Sequence, residues 1–461
     1  MQADLILFQT IPDNDQIADE KASSTSDLDC AVRSYRPDDF EIVRRIEMGD
    51  MATMLLGNVG RIVFYFCMGV YLFGDLAIYA AVVPKSLMNA ICTYTPLNQT
   101  GNFFNVSGQE PCWPNANKVL TRMTVYRLLV IVFAILIGPF NFTNLSRTKY
   151  LQVITSVFRW SSFIVMIVWA AVILGISGVD GSPVAANGNK FTNLFGVSVY
   201  GFMCHHSLPG MVTPMKNKRH FFIYMVGVFI VIFLFYSLVS LTGAFAFADV
   251  DDVYTLTFFH IALPAGPVGT VLRIIQYALL LFPVFTISAN YPIIGITLRN
   301  NLDTLIFVRR PPQQQVSGID GENDHGMSAE SEPRVDKVGV STEQLVEPSA
   351  DPQPSKTTTF LRRILLPLLI TVLPLIFSLL TYDVTLLAAI TGSYPGVGVQ
   401  YLLPSWLSLA VRRKMQRDIS VDFQPPYASP FKGFFWVYLS FFWAVCTVCI
   451  VTANYIIQSV S

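Results

Sequence analysis

The chain has 461 residues, of which 52% are hydrophobic and only 13% are charged. Soluble domains carry about 25% charged residues, so this composition excludes an ordinary water-soluble protein. The formal net charge is +0, and no excess of basic residues points to a nucleic-acid partner. The lipid bilayer is therefore the first partner that the composition predicts.

Nine apolar stretches follow one another along the chain. A helix needs roughly 20 apolar residues to cross a bilayer, and only helices or closed barrels satisfy their backbone hydrogen bonds in lipid. The sequence therefore predicts an all-α polytopic membrane protein with nine transmembrane helices. The predicted spans are 61–83, 125–141, 150–177, 191–213, 221–247, 267–297, 361–381, 385–410 and 434–457.

Charge in the connecting loops predicts the orientation. Lys and Arg are concentrated in every second loop, and short basic loops remain in the cytoplasm. We therefore expect residues 1–60 and 298–360 to be cytoplasmic and the C-terminal tip to be extracytoplasmic. The basic residues that carry this prediction are Arg147, Lys149, Lys216, Lys218, Arg219, Arg309, Arg310, Arg362, Arg363, Arg412, Arg413, Lys414 and Arg417.

The first long extracytoplasmic loop, 91–124, contains two N-glycosylation sequons, at Asn98 and Asn105. It also contains Cys92 and Cys112, which we expect to form a disulfide in an oxidising compartment. The alternative is a pair of free, buried thiols. A glycoprotein of this kind resides in the plasma membrane or in an endosomal or lysosomal membrane.

The domain organisation follows from the same pattern. We expect a polar N-terminal region 1–60, six helices in 61–297, a cytoplasmic loop 298–360 and three helices in 361–461. Segment 311–359 is rich in Pro, Ser and acidic residues, which cannot bury enough apolar surface to fold. We expect it to be disordered and available to cytoplasmic protein partners.

The fourth span differs from a plain membrane helix. It contains His205 and His206, followed by Pro209 and Gly210. Proline removes a backbone donor and disrupts the preceding turn, so the helix should break here. Exposed backbone groups at membrane depth survive where they line a cavity, and transporters bind substrate at such breaks. The alternative is a proline kink packed against neighbouring helices.

Ionisable residues inside spans are costly, and they usually pair or face a cavity. Asp75 is the candidate for binding a proton or a cation, and the alternative is an ion pair with Arg159. Thr286 and Asn290 share one face of the sixth span. This face either coordinates a cation or substrate, or hydrogen-bonds to a neighbouring helix.

Two further patterns bear on function. The glycines around Thr391–Gly398 in the eighth span predict close helix packing. The predicted spans contain no paired catalytic acids, no serine–histidine arrangement and no metal-ligand spacing at matching depths in the membrane. We therefore expect a protein that is not an enzyme. We also expect no organic cofactor.

Three blocks and the broken span carry a family resemblance. The stretch 202–209 (FMCHHSLP) resembles the broken sixth helix of the amino acid/auxin permease group, part of the amino acid–polyamine–organocation superfamily. The blocks 73–81 (FGDLAIYAA), 281–288 (LFPVFTIS) and 390–396 (ITGSYPG) are similar to the transmembrane protein 104 family within it. The resemblance extends from about residue 40 to 457.

This resemblance implies an inverted-repeat transporter fold of eleven helices, with substrate bound between the broken first and sixth helices. It implies secondary transport of amino acids or related small solutes, coupled to Na⁺ or H⁺. Nine spans correspond to helices three to eleven, so we expect the first two helices to be missing. The alternative is a non-transporting membrane sensor that uses the transporter fold.

Positions near the break and on facing helices give the candidate site. We expect the substrate to contact Phe202, Cys204, His205, Tyr71 and Tyr79. We expect the coupling ion to contact Asp75, Thr286 and Asn290. These roles follow from helix position within the implied fold.

Overall fold

The structure is a computed structural model. It describes residues 46–94, 107–114, 120–142, 149–184, 191–213, 220–259, 261–306, 360–381, 383–418 and 433–460, with a few single residues between these ranges. The sequons at Asn98 and Asn105 and the segment 311–359 lie outside the described residues.

The predicted all-α polytopic architecture is confirmed. The helices up to residue 306 are α1 (Met48–Ile91), α2 (Arg122–Ile137), α3 (Lys149–Ser177), α4 (Phe191–Gly201), α5 (Leu208–Val212), α6 (Phe221–Ala246), α7 (Tyr254–Phe259) and α8 (Pro267–Ile306). The helices after residue 360 are α9 (Leu366–Leu380), α10 (Val384–Thr391), α11 (Leu403–Asp418) and α12 (Phe434–Val460).

Within the described ranges, seven helices are long and apolar enough to cross a membrane, whereas the sequence predicts nine. The difference arises from the fourth and eighth predicted spans, which are helical but interrupted. The fourth is divided between α4 and α5, and the eighth runs through α10, two π-helical turns (Gly392–Gly396 and Gly398–Leu402) and α11. Membrane crossing by these two segments stays a prediction.

Helix α1 is the central element of the bundle. It begins at Met48 rather than at residue 61, so part of the predicted polar N-terminal region is helical. At Gly57 the backbone takes a positive φ of 64°, which is outside helical geometry and bends the helix. Glycine occupies this position because only glycine adopts a positive φ readily. Beyond the bend, α1 is mostly buried from Tyr71 to Ser86, with Leu76 fully enclosed, and α8 packs beside it.

The two ends of the bundle are each held by local contacts. At one end, Cys92 and Cys112 form a disulfide, the same pair that the sequence analysis joins. The Lys85 ammonium at the same end lies 2.8 Å from the Asp252 carboxylate in the loop before α7. At the opposite end, the Arg362 guanidinium lies 3.0 Å from Asp303 at the end of α8, which extends past residue 298 into the predicted loop.

Candidate functional site

The predicted break in the fourth span is present. Helix α4 ends at Gly201, and the helical path resumes in a single 3₁₀ turn, His205–Ser207, that leads into α5. Between them Cys204 has φ −142° and ψ −1°, well outside helical geometry. Pro209, in the first turn of α5, has no N–H and cannot continue a helix from α4. The break gives the last carbonyl groups of α4 irregular partners, since the Tyr200 carbonyl accepts from the Met203 N–H and the Gly201 carbonyl accepts from the Tyr236 hydroxyl, both at 3.3 Å.

Helix α4 contacts the segment after α10 closely enough to exclude side chains. A Cβ added at Gly392 would overlap the carbonyl oxygen of Gly196, and one added at Gly196 would overlap the carbonyl oxygen of Ala389. On the other side, Gly74 of α1 lies against the side chain of Thr391. The close packing expected of the glycine-rich span is thus present, and it holds the break against α1.

Asp75 lies at the centre of this arrangement. It is only 6% exposed, and the Tyr200 hydroxyl of α4 hydrogen-bonds to its carboxyl group. Its Oδ1 atom is buried and has no hydrogen-bond partner among the described residues. Arg159 acts electrostatically on the hydroxyl groups of Tyr79 and Tyr236, and the structure shows no ion pair between Arg159 and Asp75 in the part of the chain it describes.

Aromatic residues connect Asp75 to the break. The ring centroids of Tyr71 and Tyr200 are 6.3 Å apart, as are those of Tyr71 and His206. Tyr79 lies one turn beyond Asp75 on the same face of α1 and packs with Tyr200 against the same two hydrophobic clusters. We call Tyr71, Asp75, Tyr79, Tyr200 and His206 the Asp75 cluster.

The two histidines of the break have unused hydrogen-bonding capacity. The Nδ1 atoms of His205 and His206 are both buried, and within the described residues neither has a hydrogen-bond partner. Buried polar atoms are nearly always paired with protein or ordered water. An orphaned pair next to an interrupted helix suits a polar ligand better than it suits a simple structural role.

Two of the predicted substrate residues lie elsewhere. The Phe202 ring packs against α6, 5.4 Å from the Tyr236 ring and 6.2 Å from the Phe229 ring. Cys204 packs against the small cluster formed by Leu208, Val212 and Phe221. At non-helical residues the side-chain direction does not follow the 3.6-residue period, so proximity to the break did not place these side chains in the Asp75 cluster.

The predicted ion-binding face of α8 includes a hydroxyl that is bonded within its own helix. The Thr286 hydroxyl donates to the Phe282 carbonyl at 2.8 Å. The Phe282 ring, one turn earlier, packs 5.8 Å from Phe158 and 6.0 Å from Phe163 of α3. Asn290 is partly buried one turn further along. An ion-binding role for Thr286 and Asn290 therefore stays a prediction.

Sequence reasoning missed three polar residues near the site. Tyr200 carries the hydrogen bond to Asp75, and its only signal was its place just before the break. Ser393 and Gln400 lie on the π-helical turns, where the Ser393 hydroxyl and the Gln400 Oε1 are buried without partners among the described residues. The hydroxyl of Ser393 faces Gly196 of α4. Their signal was the irregular TGSYPGVG composition, which the sequence analysis assigned to packing alone.

A second polar group closes the end that carries the disulfide. The Lys85 ammonium lies 3.7 Å from Asp251 as well as close to Asp252, and the Arg122 guanidinium donates to Asn89 at 2.9 Å. Burial raises the pKa of the Asp251 carboxyl above its usual value, and the Lys85 ammonium opposes that rise. These contacts tie α1 to the loop before α7 above the Asp75 cluster.

The chemistry available at the Asp75 cluster is the binding of one positive charge. A lone buried carboxyl group is unfavourable as a free anion, so it is stabilised when it binds a proton or a cation. Among the described residues no three His, Cys, Asp or Glu side chains are grouped to hold a metal ion. Hydroxyl and backbone oxygens are the remaining ligands nearby, and these suit an alkali cation or a polar solute.

Comparison with known proteins gives the family. The family model described as transmembrane amino acid transporter protein matches residues 37–455. The Transmembrane protein 104 homolog of Caenorhabditis elegans is 37% identical over 429 residues, which cover 93% of this chain and 82% of the relative. Human Transmembrane protein 104 is 37% identical over 430 residues, covering 92% and 76%. The Drosophila melanogaster homolog is 32% identical over 422 residues, covering 90% and 74%.

No solved structure matches the chain. The family match spans the break, the Asp75 cluster and the described helices, apart from the end of α12 beyond residue 455. The chain therefore belongs to the transmembrane amino acid transporter protein family, within the group of its Transmembrane protein 104 relatives.

Proposed function

We propose that this protein is a non-enzymatic secondary active transporter of amino acids or related small solutes, coupled to Na⁺ or H⁺. The observation that carries the proposal is the interrupted fourth span beside a buried carboxyl group that has no ionic partner among the described residues. Secondary transporters bind substrate and coupling ion at discontinuous helices near the middle of the bilayer. Family membership supports the substrate class.

The proposed substrate position is the gap between α4 and α5. The C-terminal end of α4 has a partial negative charge that attracts the ammonium group of an amino acid. His205, His206 and Tyr71 offer polar groups for the rest of the solute. Phe202 and Cys204, which pack towards α6, form the outer wall of this gap rather than its polar floor.

The proposed coupling site is Asp75. Binding of a proton or a cation there neutralises the only carboxyl group of the Asp75 cluster. Tyr200 bonds to that carboxyl and belongs to the helix that ends at the break, so a change of charge at Asp75 acts directly on α4. This link supports coupling between ion binding and the geometry of the substrate gap.

The proposed orientation places the N-terminus in the cytoplasm and the C-terminus outside. The disulfide, the predicted glycosylation sites and the Lys85 contacts would then face the lumen or the extracellular space. The proposed residence is the plasma membrane or an endosomal or lysosomal membrane. The grouping of the disulfide and the Lys85 contacts at one end of the bundle supports the assignment.

The test is uptake by the purified chain in proteoliposomes. We expect uptake of a labelled amino-acid mixture to require an imposed Na⁺ or pH gradient and to fall at least tenfold in Asp75→Asn. Tyr200→Phe, which removes only the hydroxyl bonded to Asp75, should give an intermediate loss. Asp249→Asn, which removes a carboxylate from an exposed loop position, is the matched control and should transport normally.

Two outcomes would change the conclusion. Equal uptake by the native protein and Asp75→Asn would remove Asp75 from the coupling site. Thermal stabilisation by an amino acid without any uptake would favour a membrane sensor built on the transporter fold.

A further inference from the structure

A cleft of about 500 Å³ opens between the start of α1 and the end of α11, away from the Asp75 cluster. Its walls are apolar, with Met54 and Leu56 on one side and Trp406 and Leu409 on the other. This volume lies within the usual range for sites that bind small amphipathic molecules.

The cleft exists because α1 bends at Gly57. The positive φ at this residue turns the helix and folds the Leu56 side chain against Gly60, where any added Cβ would overlap it. Met54, in the segment before the bend, remains 47% exposed although it is apolar. The bend therefore presents an apolar wall to the end of α11 instead of continuing the helix into it.

One end of the cleft is basic. Arg413 and Lys414 line it, directly after the apolar part of α11. The neighbouring Arg412 is used differently, because its guanidinium donates to the carbonyls of Phe431 and Gly433 at 2.7 Å each and so anchors the start of α12. The two basic residues in the cleft thus face a site that has apolar walls and a positive rim.

This combination is complementary to a molecule with a negative head and an apolar body. The basic end of α11 that contains Arg413 is predicted to be cytoplasmic, and anionic lipids concentrate in that leaflet and bind basic pockets between helices. Trp406 suits the same depth, since tryptophan prefers the boundary between headgroups and acyl chains.

We propose that the cleft binds an anionic glycerophospholipid. Arg413 and Lys414 contact its phosphate group, and Met54, Leu56 and Leu409 contact the first part of an acyl chain. Such a lipid would connect the bent start of α1 to α11, and it would hold the two segments together through a component of the membrane itself. The proposal does not depend on transport, because it concerns a separate end of the bundle.

The test uses Trp406 as the reporter. The purified full chain is placed in bilayers containing either dibromo-phosphatidylserine or dibromo-phosphatidylcholine, since bromine quenches a tryptophan only at close contact. Fluorescence is compared between the native protein and Trp406→Phe, and the difference isolates Trp406 from the other tryptophans. We expect an apparent affinity roughly tenfold higher for the anionic lipid, from two basic side chains.

Charge variants give the decisive comparison. Arg413→Gln with Lys414→Gln should remove the preference for the anionic lipid. Lys216→Gln with Lys218→Gln, which removes the same charge from another predicted cytoplasmic loop, should keep it. A shift of the thermal midpoint with added phosphatidylserine, present in the control pair and absent in the cleft pair, provides a second measurement.

Three results would overturn the proposal. Equal quenching of Trp406 by both lipids would show an ordinary lipid-facing surface. Failure of both lipids to quench it would show that protein, such as another part of the chain or a second copy, covers the cleft. A preference for the anionic lipid that survives in the cleft pair would show that these two basic residues do not bind the headgroup.

Discussion

The contact between Gly196 and Gly392 predicts that Gly392→Ala destabilises the protein. A Cβ atom at Gly392 would lie 2.7 Å from the carbonyl carbon of Gly196 and 3.2 Å from its Cα. Carbon atoms in optimal contact are about 3.5–4.0 Å apart, so α4 and the segment after α10 must separate by about 1 Å. The atoms of Gly196 that a Cβ at Gly392 would meet belong to the backbone, so they cannot rotate out of the way as a flexible side chain could.

Overpacking of this kind costs about 3 kcal/mol, at the upper end of the usual range. The assay is the thermal midpoint of the purified protein in detergent, followed by the fraction that remains monodisperse after heating. Gly227→Ala is the matched control, because a Cβ there meets no atom within 4 Å and alanine favours a helix over glycine. We expect a clear fall for Gly392→Ala and no fall for Gly227→Ala.

An unchanged midpoint in Gly392→Ala would refute the reasoning. It would mean that α4 and the π-helical segment are not held at backbone contact, and that the Asp75 cluster is not fixed by this packing. A fall of equal size in Gly227→Ala would mean that the loss reflects the substitution type rather than the contact.

Three further predictions follow from other contacts. Cys112→Ser removes the disulfide to Cys92, which closes a separation of 20 residues, so the free energy of unfolding should fall by about 3 kcal/mol. A reductant should lower the thermal midpoint of the native protein and leave that of the variant unchanged. Lys85→Met removes an ammonium that is 10% exposed and lies between Asp252 and the mostly buried Asp251, which is 13% exposed, so the unfolding free energy should fall by about 3 kcal/mol and most of this loss should persist at high salt. Asp75→Asn keeps the side-chain shape while removing a charge that has no ionic partner among the described residues, so its thermal midpoint should equal or exceed that of the native protein; a lower midpoint would indicate an ionic partner for Asp75.

The sequence was sufficient for features that depend on local chemistry. The break before Pro209 follows from the missing N–H of proline, and the helices follow from long apolar runs. The start of α1 at Met48 was not predictable in this way, because the segment before Gly57 is too short to cross a bilayer and its burial at Met48, Met51 and Ala52 depends on tertiary packing. Interrupted spans were counted as whole because composition does not show where a helix loses its regular hydrogen bonds.

The candidate site also combines features that follow from local sequence with features that depend on tertiary packing. Tyr71, Asp75 and Tyr79 follow one another at four-residue intervals, so a helix places them on one face, as α1 does. The helix that this face meets depends on tertiary packing, so Tyr200 was missed. The same limit applies to α8, since the spacing of Thr286 and Asn290 predicts a shared face but not the helix that this face contacts.

The two π-helical turns have a consequence for movement. In each, a backbone N–H bonds to the carbonyl five residues earlier, Val397 to Gly392 and Leu403 to Gly398. Each turn thus holds one residue more than an α-helical turn. Movement of that extra residue along the helix rotates the residues that it passes by about 100° and shifts them by about 1.5 Å, without unfolding the helix. The segment that contacts α4 therefore contains two positions from which such a local rotation can start, between the proposed substrate gap and the basic end of α11.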